Sequence, residues 1–155
     1  MIINQDTYIS LEDATLYLNG HYISTDAKLL KWNALTPADK TVLLVKAAQI
    51  IDRQPLSGVR VVYNQLMEFP RTNRKIDYDN INFVVTKAIP LEVGYAQCEI
   101  AIDQGLSERA ELQRQGVTSF SIGKLSESYS GGSRDILSHE AKKLLAPWLG
   151  SLRIV

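Results

Sequence analysis

The chain has 155 residues, 45% of them apolar and 22% charged, with 17 basic residues against 17 acidic ones. That length suits one domain with a real core, and the even charge excludes a global field drawing the molecule to phosphate or to anionic lipid. One cysteine, Cys98, excludes a disulfide framework and a multi-cysteine zinc site, and no apolar run reaches the about eighteen residues of a membrane span.

The opening Met-Ile-Ile-Asn-Gln-Asp lacks the basic start and apolar run of a signal peptide, so a soluble protein used without export is expected. Ser10-Leu-Glu-Asp13 is a serviceable helix start, with Leu11, Ala14 and Leu18 on one face and Asn19-Gly20 as the stop. A second helix is expected at Thr36-Pro37-Ala38-Asp39, which combines a capping hydroxyl, an N1 proline and a carboxylate near the positive end of the dipole. Its apolar positions are Leu43, Ala47, Ile50 and Ile51, widened by Leu44 and Ala48, and Pro55 ends it.

Residues 55–88 carry no strong periodicity and read as an extended segment, long for a loop in a compact domain. Val59, Val61, Val62, Tyr63, Leu66 and Phe69 either pack at home or suit an intersubunit groove. Arg71-Thr-Asn-Arg-Lys75, beside Phe69 and Tyr78, is a compact basic cluster that could meet a phosphate backbone or simply be solvated. A third helix opens at Ile89-Pro90, with Leu91, Tyr95, Cys98, Ile102 and Leu106 along one face and Glu92, Gln97, Glu99 and Asp103 mostly turned away. It continues past Gly105 to Arg114, and Gly116 closes it.

Residues 116–130 predict a hairpin. Gly123-Lys124 as a two-residue loop puts glycine where a type II′ turn needs positive φ, and pairs Ile122 with Leu125. Alternation then gathers Thr118, Phe120, Ile122, Leu125, Glu127 and Tyr129 on one face and Ser119, Ser121, Ser126 and Ser128 on the other. Because an isolated hairpin is marginal in water, the apolar face needs a cover. A last helix carries Leu137, Ala141, Leu144, Leu145 and Trp148 and is broken near Pro147. The fold class is thus mainly α: one domain over 1–155, a bundle of about four helices with its core in 8–54, 89–114 and 136–149, a projecting hairpin and a long irregular middle.

Chemistry finds little footing. His21 and His139 stand without metal-ligand spacing, Cys98 lies mid-stripe as a small hydrophobe, and neither a Gly-x-Ser-x-Gly elbow nor a phosphate loop occurs. Asp77 and Asp79 fall in a polar stretch. No catalytic residue, cofactor or metal is expected.

Several stretches carry a family likeness: Tyr8-Ile-Ser-Leu-Glu-Asp-Ala14 with Tyr17-Leu18, Ala47-Ala-Gln-Ile-Ile-Asp52, Gln65-Leu66 followed by Phe69-Pro-Arg71, and Ile89-Pro90 before Ala96-Gln-Cys-Glu-Ile-Ala101. Val117-Thr-Ser-Phe-Ser-Ile-Gly123 and Leu144-Leu-Ala-Pro-Trp-Leu149 complete the set. In this order they resemble the small head-tail connector, or head-completion adaptor, proteins of tailed bacteriophages, some of which carry the family label DnaT-like single-stranded-DNA-binding protein. The chain departs from that pattern at Gln54-Pro55 and at Leu66-Met67-Glu68.

The resemblance implies a non-enzymatic virion subunit that assembles in the host cytoplasm. It would form a homo-oligomeric ring, typically a dodecamer, beneath the portal protein. A tail-side completion or tail terminator protein would meet the ring below, and packaged DNA would pass its lumen without sequence specificity. No membrane partner is implied. Candidate subunit or portal contacts are Phe69, Pro70, Arg71, Phe120, Ile122, Leu125, Glu127 and Tyr129. Arg71, Arg74 and Lys75 are candidate DNA contacts, and a single-stranded-DNA-binding module is the alternative function.

Overall fold

The computed structural model describes residues 1–3, 5–72, 88–106, 119–122, 125–128 and 137–150. The protein is mainly helical, with five helices and two short antiparallel ladders among the described residues. The first helix, α1 (Leu11–His21), starts where Ser10 Oγ accepts from the Asp13 amide at 3.0 Å, and it buries Ala14 and Leu18. It runs past the expected stop at Asn19-Gly20 to a cap at Tyr22.

No helix was expected between Gly20 and Thr36, but α2 (Ala27–Ala34) occupies that interval. Asp26 caps it by accepting from the Lys28 amide at 2.8 Å, and only Leu29 and Trp32 are buried. Two buried positions in eight residues make too short a stripe to register as a period. The next helix, α3 (Pro37–Asp52), begins at Thr36 and Pro37 as expected. Its buried line is Leu44, Ala47, Ala48 and Ile51, while Leu43 and Ile50 are half-buried along its edge.

At the centre lies α4 (Leu91–Leu106), against which α1, α2, α3 and α5 (His139–Leu145) all pack. Val93, Ala96, Cys98, Ile100, Ala101 and Ile102 are buried on several sides of this one helix, as a helix enclosed by others requires. Gly94 admits the N-terminal segment, since a Cβ there would stand 3.2 Å from Ile9 Cβ. Two expectations fail on α4. Leu91 is exposed rather than in the core stripe, and Gln97 and Glu99 are buried rather than turned away.

Both polar side chains are satisfied by partners from other helices and from the N-terminal segment. Gln97 accepts from the Tyr8 amide at 2.9 Å and donates to Thr7 Oγ1 and to the Leu44 carbonyl, each at 2.8 Å. Glu99 accepts from the Tyr17 hydroxyl at 3.0 Å and the Tyr22 hydroxyl at 2.6 Å, with His21 Nε2 3.7 Å away. Burial and the Glu99 carboxylate push both phenols well above the ordinary tyrosine range. Tyr17 also stacks on Tyr95, ring centroids 4.3 Å apart, so α1 is fastened to α4 by both polar and aromatic contacts.

The last helix, capped by Ser138, ends at Leu145, a turn earlier than its apolar spacing suggested. The chain then returns to the start of the middle segment. Ser57 donates to the Trp148 carbonyl at 2.7 Å, Gly150 donates to the Pro55 carbonyl at 2.8 Å, and Leu56 bridges Leu149. Residues 55–72 of the middle segment carry more regular structure than their composition suggested. Strand β1 (Val59–Arg60) pairs antiparallel with β2 (Arg71–Thr72), Arg60 opposite Arg71. Farther along, β3 (Ser119–Ile122) pairs with β4 (Leu125–Ser128) in the expected register, Ile122 opposite Leu125 and Phe120 opposite Glu127. Thr118, Tyr129 and the Gly123-Lys124 loop lie outside the described residues.

Candidate binding surface

The base of the 55–72 segment is built from side chains that are far apart in sequence. Asp52, at the end of α3, accepts from the Tyr8 hydroxyl in a short hydrogen bond and from the Glu68 amide at 3.4 Å. Burial, helped by the Asp52 contact, pushes the Tyr8 phenol far up, and burial also raises the Asp52 carboxyl against the Tyr8 hydrogen bond that lowers it. Phe69 lies beneath this pair and is only 1% exposed. Its ring meets Tyr8 and Trp148 edge-on, each with centroids 5.6 Å apart, and the Phe69–Pro70 peptide is cis.

Above the base, Glu68 bridges two arginines, bonding Arg60 and Arg71 together. The Arg60 hydrogen bond, with support from Arg71, holds the Glu68 carboxyl below the usual carboxylate range. Arg71 is occupied on its other sides as well. Its Nε donates to the Ser57 carbonyl at 2.9 Å, and Nη2 donates to the Leu56 and Gly58 carbonyls at 3.1 and 2.8 Å. The Gly58 φ of 77° is the left-handed conformation that glycine adopts without strain, and it turns that carbonyl inward. Gln65 closes the upper loop, accepting from the Val62 amide and donating to the carbonyls of Met67 and Pro70.

This frame lifts an apolar tip into solvent. Tyr63 is 100% exposed, Val62 and Leu66 stand exposed on the same loop, and Val59 is exposed on β1. An aromatic held by an internally bonded loop has few contacts of its own to lose when a partner covers it. The candidates named from sequence therefore fall in different places. Phe69 is in the core of its own chain, Pro70 is half-buried with its carbonyl bonded to Val61 and Gln65, and Arg71 secures the loop. Phe120, Ile122, Leu125 and Glu127 are on the β3–β4 ladder, while Arg74, Lys75 and Tyr129 lie outside the described residues. From sequence, Asp52 and Gln65 stood out only within family motifs and Glu68 only as a departure from them, none as a site residue. The one available signal was Glu68 flanked at modest spacing by Arg60 and Arg71.

Glu68 also sets an acid sensitivity. Its folded-state carboxyl ionises below the unfolded value, so the bridge stabilises the fold above the ordinary glutamate range, about pH 4.3, and is lost as pH falls through the lower folded value. Glu68→Gln is expected to flatten the loss of stability between about pH 5 and pH 3 that the native chain shows in urea titrations. Unchanged slopes in the two proteins would rule the bridge out as their source.

Among the described residues no three metal-ligating side chains come together, and no helix is long and apolar enough to cross a membrane. Cys98 is buried, and that burial raises its thiol far above the ordinary range, which removes it as a nucleophile. No curated protein and no solved structure matches the chain. The profile of one family, described as "Putative DnaT-like ssDNA binding protein", matches residues 2–155. That match covers the whole chain but its first residue, and the chain therefore belongs to the DnaT-like ssDNA-binding protein family.

Proposed function

We propose that the chain is a non-enzymatic adaptor subunit of a tailed-bacteriophage virion. It assembles in the host cytoplasm into a ring that joins the portal protein to tail-side completion or terminator proteins and leaves a passage for DNA. The observation that carries this reading is the exposed tip of Val62, Tyr63 and Leu66 on a loop fastened by Glu68. Clustered apolar and aromatic exposure on a fixed frame marks a surface made to be covered by protein. Balanced charge supports it too, because DNA sliding through a lumen is served by few phosphate contacts.

Imaging of the purified full chain, alone and with a candidate portal, should reveal closed rings. A monodisperse monomer under both conditions would end the proposal. Tyr63→Ser is expected to weaken ring or portal association roughly tenfold while shifting stability by less than about 0.5 kcal/mol, as a fully exposed residue should. Analytical ultracentrifugation and urea melts read the two effects separately.

The family description speaks more directly for a second reading, single-stranded DNA binding. Tyr63 is placed to stack on a base, and Arg74 and Lys75 stand nearby in sequence. Arg71 contributes little to such a site, since its guanidinium is bonded to Glu68 and three carbonyls. Fluorescence anisotropy with an oligo-dT strand should detect salt-dependent binding that falls on changing Tyr63, Arg74 and Lys75 to alanine. Absence of binding at low salt would dismiss this reading.

A further inference from the structure

We propose that the exposed ridge of α1 seats in the groove between α3 and α4 of a second copy of this chain, making a head-to-tail contact. The inference rests on the assembly reading above and assigns it a surface. The groove is lined on one wall by Leu43, Lys46, Ala47 and Ile50 and on the other by Ile100, Ala101 and the polar Gln104, and holds about 260 Å³. Among the described residues no carboxylate lines it. Lys46 stands exposed on its edge, and Arg53, seven residues on, continues that side of α3 two turns further. Neither cation has an ion-pair partner among the described residues.

The α1 ridge has the complementary chemistry. Glu12, Leu16 and Gly20 follow one another at helical spacing with Ile23 just beyond, and all four are exposed. Glu12 has no ion-pair partner among the described residues, and Leu16 and Ile23 are each 73% exposed. Gly20 is the independent sign. It lies within the helix without a positive φ, and a Cβ built on it meets nothing within 4 Å. The fold of its own chain therefore does not call for glycine, a residue disfavoured inside helices. A helix packed closely across the ridge does call for it, because a missing side chain lets two backbones approach.

An acidic and apolar ridge with a bare glycine thus matches a mainly apolar groove edged by cations. The two surfaces are different parts of one molecule, so the contact is heterologous and each copy can use both at once. Such contacts generate rings when the rotation between copies closes.

Sedimentation velocity on the full chain tests the contact. Glu12→Lys and Lys46→Glu, singly, should each weaken self-association at least roughly tenfold, and the two together should recover most of it. Gly20→Leu should also disrupt association while leaving the melting temperature equal or higher, an outcome that a merely structural glycine would not give. Self-association unmoved by all of these variants would overturn this contact and leave the ring reading standing. A native chain that stays monomeric at high concentration and on a portal would overturn both.

Discussion

Replacing Phe69 with alanine is expected to lower the unfolding free energy by about 3–5 kcal/mol, the range for removing a buried aromatic ring. The ring is almost fully buried and holds three parts of the chain at one point: the N-terminal segment through Tyr8, the turn after α5 through Trp148, and the base of the tip through its own backbone. The cavity would lie directly under Glu68, so the loss should spread to the loop above. Urea denaturation of Phe69→Ala and Phe69→Leu reads the size of the effect, with leucine recovering part of it. Protease cleavage within residues 58–66 should rise in the alanine variant and not in Tyr63→Ser. A change in stability below about 1 kcal/mol would show that the ring is not the fastening point.

Gln97→Leu is expected to cost about 2 kcal/mol, although the substitution is apolar and goes into an apolar core. Leucine fills similar space but leaves the Tyr8 amide buried without its partner, at roughly 1–3 kcal/mol, and strips the Leu44 carbonyl, which keeps its place in the α3 ladder, of a second hydrogen bond. The Thr7 hydroxyl still donates to the Ile9 carbonyl, so it suffers less. Calorimetry should record the loss, and hydrogen exchange should place it at the Tyr8 amide first. If Gln97→Leu is as stable as the native chain, the network adds specificity without adding stability.

The parts of this architecture that could be read in advance are those governed by near neighbours. Ser10 and Thr36 announced their helices because a cap and its helix lie within three residues of each other. The β3–β4 register was legible for the same reason, since a two-residue loop dictates its pairing. Where a local signal was thin it was missed, as at α2, whose Asp26 cap precedes only two buried positions. On α4 the 3.6-residue period misled. It assumes one dry face and one wet face, whereas this helix is enclosed by four others and buries Gln97 and Glu99 along with its apolar residues.

The candidate site was less legible than the fold. Phe69 and Arg71 stood out in a stretch without periodicity and so looked like surface contacts, yet both turn inward. Their partners explain why. Phe69 is claimed by Tyr8 and Trp148 from opposite ends of the chain, and Arg71 by Glu68 and by carbonyls across the β1–β2 ladder. Tyr63, Val62 and Leu66 are left outside while Phe69 and Met67 of the same segment enter the core. By itself, then, the sequence determined the helical class, the capped helix starts and the hairpin register, all set by interactions a few residues long. Only the tertiary structure decided which aromatic anchors the loop, which is offered to solvent, and which polar side chains the central helix could bury, because each outcome depends on groups that meet only once the chain has folded.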